Sequence, residues 1–596
     1  MIGRPQQGRM LKKAPRANNT RATVIRLLTY MNDQYGKLAI IFVSVIMASL
    51  LGVAGPYLMG RAIDDYLSVK ELNGFLTMIL LMFGVNVVGA LFSWLMSYLT
   101  VQIAQDSVRR IRSDLFYKLQ QLSLKFFDTH SDGDLTSRLT NDVDNISSTL
   151  NQSLTQLMSS VITIVAVVVM MFALSWQLSL ISFVMIPIII LITGQIAKYT
   201  RKFFKAKMEG LGALNGHIEE TVSGQKVVKA YGQENKAIAT FEAQNKTYKD
   251  AAIKAEVLSS VMGPLMNMMN NMTYALIALF GGIMIIKGHT SVGVVVTFVN
   301  YSRQFARPIN QIASLYNTIQ GAIAGAERVF EVIDEDPEIT NHKDAKSMDN
   351  IQGKVSFDQV DFSYVEDQKI LKGVSFKADK GDLIALVGPT GAGKTTIINL
   401  LTRFYDIDSG VIEIDNTPIK NLKVEELRSK IGIVLQDTYL FADTVMENIR
   451  YGRLDATDEE VIEAAKLANA HQFIHRLPEG YDTNLSGEGA NISQGQRQLL
   501  AIARTILANP DILILDEATS SVDTRTERHI QEGLLKLMEG RTSFVIAHRL
   551  STIQQADQIL VIKDGQIHEQ GNHDMLLDQK GFYHGLYHSQ FRSKAS

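Results

Sequence analysis

Long stretches without any charged residue dominate the first half of the chain and predict helices that cross a membrane. Residues 38–60, 72–105, 145–197 and 257–286 contain no Asp, Glu, Lys or Arg. A helix crosses the hydrocarbon core of a bilayer with about 20 apolar residues, so the run 145–197 is long enough for two spans. A further span begins near Ser291. We predict six spans, near residues 38–60, 76–98, 155–174, 178–197, 259–286 and 291–311.

The connections between these spans alternate in length and predict the orientation of the chain. Those after the second and fourth spans, residues 99–154 and 198–258, are long and charged, whereas the others are short. The basic tail at residues 1–37 lies on the same side as the long connections, and positive charge favours the cytoplasm. We therefore predict a multi-pass protein of the cell (inner) membrane with cytoplasmic termini and helical extensions of the spans. The tips of these extensions, residues 133–142 and 219–229, are either docking helices or solvated loops.

The tail before the first span contains a short amphipathic pattern. Val24, Leu27, Leu28 and Met31 follow the i, i+3, i+4, i+7 spacing beside basic residues. This arrangement is typical of a helix that lies in the membrane interface. The alternative is a soluble capping helix.

The second half of the chain changes to short apolar strands that alternate with helices. This pattern begins at Gly353 and predicts an α/β domain with a mostly parallel sheet. The predicted domains are the tail and interfacial helix at 1–37, the transmembrane region at 38–325, a charged linker at 326–352 and the α/β domain at 353–596. The predicted fold class is thus a multidomain protein, in which an all-α six-helix bundle precedes an α/β domain.

The charge balance and the absence of cysteine exclude some classes of function. The formal net charge is -2 and there is no cysteine. A nucleic-acid protein driven by bulk positive charge is thereby excluded, and so are disulfides and thiolate metal sites.

A glycine-rich motif follows the apolar, strand-like residues 383–387. Gly388, Gly393, Lys394 and Thr395 match G-x-x-x-x-G-K-[ST], and a helix-like apolar segment comes next. Glycines let backbone N–H groups approach phosphate oxygens, and a helix N-terminus adds a positive dipole end. Lys394 supplies a cation for the outer phosphates, and the Thr395 hydroxyl can bind Mg2+. An ordinary glycine-rich turn is the weaker alternative in this context. The predicted triphosphate cradle comprises Gly388, Pro389, Thr390, Gly391, Ala392, Gly393, Lys394, Thr395 and Thr396.

Polar residues follow other strand-like runs. Asp516 can hold Mg2+ opposite Thr395, and Glu517 can polarise an attacking water as a general base. His548 could contact the terminal phosphate, and Gln436 could contact Mg2+ and water. Each has an ordinary explanation alone, such as a helix cap or a surface side chain. Together, at strand ends behind a phosphate cradle, they predict one catalytic edge.

The order of the motifs resembles one known family. Tyr364 precedes the phosphate cradle, Ser493-Gln494-Gly495-Gln496 precedes Asp516-Glu517, and Asp523 and His548 follow. This order resembles the ATP-binding-cassette (ABC) family with its P-loop nucleotide-binding domain, and the six-span half resembles its exporters. The resemblance covers about residues 38–591. It is specific, because other phosphate-loop ATPases lack the Ser-x-Gly-Gln motif.

The resemblance implies ATP and Mg2+ as cofactors and a role for each matching residue. Tyr364 would stack on adenine, and Ser493, Gly495 and Gln496 would cap the ATP held by a partner cassette. Asp523 would link the two sites across the dimer. Because two cassettes sandwich two ATP molecules, a chain with one cassette must pair with a second ABC exporter chain. The strand-end residues would divide the remaining roles: Asp516 and Gln436 as ligands of Mg2+ and water, Glu517 as base, and His548 as switch histidine. The tips at 133–142 and 219–229 resemble coupling helices.

The chain departs from the family pattern at one position. The usual signature is Leu-Ser-Gly-Gly-Gln, whereas this chain reads Ile492-Ser493-Gln494-Gly495-Gln496. A long side chain at Gln494 stands where backbone should approach the γ-phosphate of the partner's ATP. We expect a weakened half-site and a heterodimer, like one chain of the bacterial heterodimeric multidrug exporters. A homodimer, or a variant without kinetic effect, is the alternative.

The composition of the spans gives a broad expectation about the substrate. They combine few charges with asparagine, aromatic and methionine residues, and methionine adapts to varied shapes. Amphiphilic drugs, dyes or lipids would suit such a cavity, although helix packing explains any single residue equally well. We expect ATP-driven efflux by alternating access. A lipid flippase and a non-hydrolysing regulator or channel are the alternatives.

Arg303 and Arg307 in the sixth span either face the interior or meet headgroups. Among the polar, aromatic and methionine residues of the spans are Asn86, Asn151, Gln156, Asn267, Asn270, Asn271, Phe92, Trp94, Tyr98, Phe298, Tyr301, Phe305, Met262, Met266, Met268, Met269 and Met272.

Overall fold

The first half of the chain, which contains the long uncharged runs, folds into helices. The computed structural model describes residues 19–337, 339, 341, 345–348, 351–365, 368–435, 438–489, 491–516, 524–547 and 550–590. The helices of this half are α1 Thr20–Thr29, α2 Tyr35–Arg61, α3 Leu72–Gln121, α4 Leu124–Thr129, α5 Asp132–Ser137, α6 Val143–Leu174, α7 Trp176–Ser223, α8 Gln225–Ala230, α9 Glu234–Ser260, α10 Met262–Ile286 and α11 Val292–Asp334. Two π-helical turns, Ala62–Leu67 and Arg138–Asp142, follow α2 and α5.

The six predicted spans fall, in chain order, on six long helices of the described chain: α2, α3, α6, α7, α10 and α11. Within the described residues, four helical stretches are long and apolar enough to cross a membrane: Asn32–Leu67, Leu72–Gln121, Asp132–Leu174 and Glu234–Ile286. A shorter apolar stretch, Trp176–Ile188, lies in α7 at the place of the fourth predicted span. The sixth predicted span opens α11.

The long connections are helical, as predicted. Helix α3 contains 50 residues and α7 contains 48. At 1.5 Å per residue these helices are about 75 Å and 72 Å long, far more than the roughly 30 Å of a hydrocarbon core. They therefore extend well beyond any bilayer that their apolar halves cross.

The described chain divides into two compact units. One unit holds the residues up to Gln121 together with Ser131–Glu335, and the other holds Leu122–His130 together with the residues from Asp336 onward. Thus the segment grouped with the α/β domain contains α4, and residues 133–142 belong to the helical unit. The predicted domain boundaries stay predictions.

The interior of the helical unit is apolar and includes residues that the sequence suggested for a cavity. Phe298 and Tyr301 of α11 are fully buried against Val53 and Ile277. The Tyr301 hydroxyl donates to the Val53 carbonyl at 2.9 Å. A buried hydroxyl needs such a partner. For these two aromatic residues, the packing alternative is confirmed.

The ends of α2 and α11 meet closely at Asp64. This carboxylate accepts hydrogen bonds from the Gly293 N–H at 2.8 Å and from the Ser291 hydroxyl. Ser291 also caps α11 by accepting from the Val294 N–H. A Cβ on Gly293 would lie 2.1 Å from the Gly60 carbonyl oxygen, so the backbones approach closer than any side chain allows. Small residues permit this kind of helix contact in membranes.

The predicted amphipathic helix is α1. Leu27 and Met31 are buried, whereas Leu28 is exposed. Arg26, on the polar side, pairs with Asp334, and its guanidinium lies 4.2 Å from the ring centre of Phe330. Thus α1 is attached to the end of α11 within the helical unit.

The second unit contains a mixed sheet and an antiparallel sheet, with helices around them. In the first sheet the order is β10-β9-β3-β8-β7-β6, and all neighbours except β9 and β10 are parallel. The second sheet has the order β2-β1-β4-β5. This confirms the predicted α/β class.

The strands are β1 Val355–Ser363, β2 Lys369–Ala378, β3 Leu383–Val387, β4 Ser409–Ile414, β5 Thr417–Pro418, β6 Ile431–Val434, β7 Ile512–Asp516, β8 Thr542–Ile546, β9 Gln558–Lys563 and β10 Gln566–Gly571. The helices are α12 Lys394–Leu401, α13 Val424–Ser429, α14 Val445–Arg450, α15 Asp458–Leu467, α16 His471–Ile474, α17 Gln494–Ala508, α18 Thr524–Met538, α19 Leu550–Gln555, α20 His573–Asp578 and α21 Phe582–Gln590.

Candidate functional site

The glycine-rich motif forms the turn between β3 and α12, at the centre of the mixed sheet. Gly388 has φ 154° and Gly393 has φ 107°, values that residues other than glycine rarely adopt. A Cβ on Gly388 would lie 2.1 Å from the carbonyl oxygen of Ile562 in β9. The turn therefore needs glycine here, and the backbone of the predicted triphosphate cradle lies against the sheet.

Lys394 is the first residue of α12 and points back into the cradle. Its Nζ donates to the carbonyl oxygens of Gly388 at 2.8 Å and of Pro389 at 2.9 Å. Burial lowers the pKa of Lys394, while the nearby Asp516 carboxylate opposes that shift. A half-buried ammonium hydrogen-bonded to two carbonyl groups is well placed to receive a bound phosphate, which would favour its charged form.

The parallel strands bring Asp516 and the phosphate cradle to one edge of the sheet. Asp516 is the last residue of β7 and is paired with Ile546 at the end of β8, next to β3. Because parallel strands end on the same side, Asp516 and the cradle share this edge. Thr395 is exposed there and Thr396 is buried. Four predicted residues lie outside the described residues: Gln436, Glu517, Asp523 and His548.

Tyr364, the predicted adenine-stacking residue, lies beside the cradle. Its hydroxyl donates to the Thr396 Oγ1 at 3.4 Å and accepts from the Asn399 Nδ2 at 3.2 Å. Its ring packs edge-on against Tyr405, with ring centres 5.0 Å apart, and also against Phe362. The structure thus brings Tyr364 together with the start of α12.

Tyr405 and Asp128 were missed by the sequence reasoning. The Tyr405 hydroxyl donates to the Asp128 carboxylate of α4, while the Tyr405 ring contacts Tyr364. These two residues join α4 to the nucleotide edge within the second unit. Nothing in the spacing indicates this, because the two residues are far apart in the chain and neither belongs to a recognisable motif.

The Ser-x-Gly-Gln motif begins α17. The Ser493 Oγ accepts from the Gln496 N–H at 3.3 Å, and the Gln496 Oε1 accepts from the Ser493 N–H at 2.9 Å. This reciprocal capping box orders the helix start, where Gly495 is buried. Ser493 itself is exposed, so its hydroxyl and the α17 N-terminus are open to another molecule.

Comparisons with known proteins agree with this architecture. Residues 38–309 match the model of the ABC transporter transmembrane region, and residues 371–520 match the ABC transporter model. The chain is 48% identical to an uncharacterized ABC transporter ATP-binding protein, YfiC, of Bacillus subtilis, over 97% of this chain and 96% of that protein. It is 43% identical to a fatty acid ABC transporter ATP-binding/permease protein of Mycobacterium bovis, over 83% of this chain and 78% of that protein. A bacterial Atm1-family ABC exporter with ATP bound shares 31% identity and a TM-score of 0.73, over 96% of this chain and 99% of that chain.

A helical membrane region and a phosphate-binding α/β domain in one chain define a fused half-transporter. The chain belongs to the ABC transporter family, as an exporter with its transmembrane and ATP-binding regions fused. It is a multi-pass membrane protein that binds ATP, and its activity is ATP hydrolysis coupled to transport. ABC exporters act as dimers within the lipid bilayer, and this chain is of the multidrug and lipid-transporting kind.

Proposed function

We propose that the chain is one half of an exporter that uses ATP to move amphiphilic, largely apolar compounds of the multidrug type across the cell membrane. The observation that supports this substrate class is one face of α10, on which Asn267, Met268, Asn271 and Met272 are exposed in the single chain. Unbranched thioethers adapt to ligands of varied shape, and uncharged amides add hydrogen bonds without excluding apolar molecules.

The nucleotide edge fits ATP with Mg2+. Tyr364 and the cradle from Gly388 to Thr396 would hold the nucleotide, and Thr395 and Asp516, with Gln436, would hold the cation. The fit rests on the chemistry of the donors, because Mg2+ prefers oxygen ligands. Thr395 and Asp516 offer such oxygens and lie at the same edge of the sheet. When bound, Mg2+ neutralises charge on the phosphates. The residues of this chain position the nucleotide, with Glu517 as the base that accepts a proton from water and His548 as its orienting neighbour.

Transport would follow from a shift between two arrangements. ATP that joins two cassettes favours one arrangement of the bundle, and hydrolysis with product release restores the other. The cytoplasmic termini, the inner-membrane location and the alternating access are parts of the same proposal. They are supported by the basic tail and by the long helical extensions α3 and α7.

Inside-out vesicles that contain the assembled transporter test the proposal. We expect ATP-dependent uptake of a fluorescent amphiphilic dye, together with faster ATP hydrolysis in its presence. Lys394→Ala is the matched control, because it removes the cation of the cradle and leaves the membrane helices intact. Dye uptake that does not depend on ATP, or an ATPase that responds to no amphiphile, would contradict the proposed function.

A lipid flippase is the second candidate, and a relative favours it. A protein of Syntrophus aciditrophicus that is 36% identical, over 95% of this chain and 94% of that protein, is named ATP-dependent lipid A-core flippase. Both candidates use the same architecture. A fluorescent lipid that changes leaflet on ATP addition, without competition from soluble dyes, would favour the flippase.

We also propose that the partner is a different chain. The chain purified alone should hydrolyse ATP at least about tenfold more slowly than the co-expressed pair, because Gln494 would occupy both half-sites of a homodimer and displace the backbone groups aimed at phosphate. The measurement is amphiphile-stimulated ATPase activity of the lone chain, of its Gln494→Gly variant and of the pair. Full stimulated activity of the lone wild-type chain would rule out the heterodimer.

Tyr405→Phe should separate ATP hydrolysis from its stimulation by substrate. The change removes the hydrogen bond to Asp128, which is worth about 1.5–3 kcal/mol when one partner is charged, but leaves the ring against Tyr364. We expect a basal ATPase rate within about twofold of wild type and a several-fold loss of amphiphile stimulation. Tyr439→Phe, at an exposed position of the same domain, is the control. Additive effects of Tyr405→Phe and Asp128→Asn in a double-mutant cycle would argue against a direct interaction.

A further inference from the structure

Arg303 is a cation within the membrane region. Arg303 follows the first residue of α11, Val292, by about three helical turns, or roughly 17 Å along the helix. Its guanidinium lies 4.9 Å from the ring centre of Tyr274. Tyr274 is the midpoint of α10, a helix of 25 residues between Met262 and Ile286. Two independent helices therefore place Arg303 near the centre of a hydrocarbon core about 30 Å thick, rather than at its edge.

The chain provides no acidic residue to balance this charge at that depth. There is no Asp or Glu between residues 257 and 326, and none in residues 38–60, 72–105 or 145–197. The described contact of Arg303 is with an aromatic ring, and a ring face attracts a cation without neutralising it. The Arg303 side chain is exposed in the single chain, so it is accessible to another molecule. A charge retained in a membrane span normally serves a ligand or a pathway.

A polar stripe on α10 leads to Arg303. Asn267, Asn270, Asn271 and Tyr274 follow the i, i+3, i+4, i+7 spacing and so share one face of the helix. Asn267 and Asn271 are exposed. These amides provide hydrogen-bond donors along about two turns of helix that end at the Tyr274–Arg303 pair. A polar head group could follow this face while its apolar chain lies against the neighbouring methionines.

We propose that Arg303 receives the anionic head group of the transported amphiphile, and that Tyr274 holds the guanidinium in place. The substrate class is thereby narrowed to compounds with a carboxylate or phosphate on an apolar chain. Arg303 is a specificity-determining residue and Tyr274 a positioning residue. This inference rests on the proposed export function and names the charge of its substrate. A guanidinium pairs with either anion through parallel N–H donors, so both sources share the same chemistry.

The test is the ATPase activity of the assembled transporter in nanodiscs of zwitterionic lipid, with a series of twelve-carbon compounds. Laurate and dodecyl phosphate carry the two anionic groups, dodecanol is neutral, and dodecyltrimethylammonium is cationic. We expect the anions to give half-maximal stimulation at a concentration about tenfold or more below that of dodecanol, as befits one charge-assisted hydrogen-bonded pair. A response to laurate alone would assign a carboxylate, and a response to both would assign anionic head groups in general.

Variants locate the preference. Arg303→Gln should abolish the difference between laurate and dodecanol while leaving the dodecanol response unchanged. Arg303→Lys, which keeps the charge, should retain most of the preference. Lys254→Gln removes a positive charge from exposed α9 and is the control. If Arg303→Gln does not assemble, Tyr274→Leu decides, because a weakened preference for anions supports the inference and an unchanged one overturns it.

The outcomes separate this inference from the function on which it rests. Equal potency of laurate and dodecanol in the wild type, or an anion preference that survives Arg303→Gln, overturns the role of Arg303 and leaves amphiphile export standing. An ATPase that responds to no compound of the series overturns the export function itself.

Discussion

Replacement of Glu517 by glutamine is expected to leave ATP binding intact and to lower steady-state hydrolysis about a hundredfold or more. Glu517 directly follows Asp516, the last residue of β7, at the edge where the phosphate cradle lies. A general base contributes by accepting a proton from the attacking water, and an amide of the same shape cannot do so. The measurements are equilibrium binding of a fluorescent ATP analogue and the release of phosphate over many turnovers.

Glu539→Gln is the matched control for this prediction. It removes a carboxylate from an exposed turn of the same domain and should change neither binding nor turnover. An unchanged rate of hydrolysis in Glu517→Gln would exclude this residue as the base. Loss of nucleotide binding in the same variant would instead assign it a structural role.

Gly388→Ala should destabilise the α/β domain and strongly weaken nucleotide binding. The added Cβ would lie 2.1 Å from the Ile562 carbonyl oxygen, which is backbone near the end of β9 and cannot rotate away. Overpacking of this kind costs about 1–3 kcal/mol. The Gly388 carbonyl also accepts from the Lys394 ammonium, so a displaced turn moves the cation of the cradle. Thermal unfolding without nucleotide and titration with an ATP analogue give the two effects.

Gly391→Ala separates the steric clash from the backbone preference. Gly391 also has positive φ, 83°, but nothing lies within 4 Å of a Cβ built there. It should therefore lose only the roughly 1–2 kcal/mol of an unfavourable backbone conformation. Equal destabilisation by the two substitutions would show that the contact with Ile562 is not what requires glycine at position 388.

The parts of the fold that the sequence predicts well are those with a local physical cause. Uncharged runs indicate spans because no other environment accepts such long apolar helices, and α2, α3, α6 and α10 bear this out. The cradle was predictable because positive φ and close backbone approach require glycine at Gly388 and Gly393. Asp516 was predictable because apolar strands of a parallel sheet end on a common side.

The parts that could not be predicted depend on distant contacts. The sequence marks residues 133–142 as a tip by their charges and glycine, but it does not indicate that α4, directly before them, groups with the α/β domain. Tyr405, the hydrogen-bond partner of Asp128 in α4, lies 277 residues further along the chain. Likewise, Arg303 was visible as a charge in a span, but nothing in the sequence indicated its contact with Tyr274.

The close contact between α2 and α11 limits how the bundle can change shape. Asp64 bonds to the first residues of α11, and the backbones at Gly60 and Gly293 touch. Bending either helix alone would break these bonds and leave a carboxylate unpaired. The pair should therefore swing as a rigid unit, and a passage at that end of the protein would open along its borders with neighbouring helices rather than between its two members.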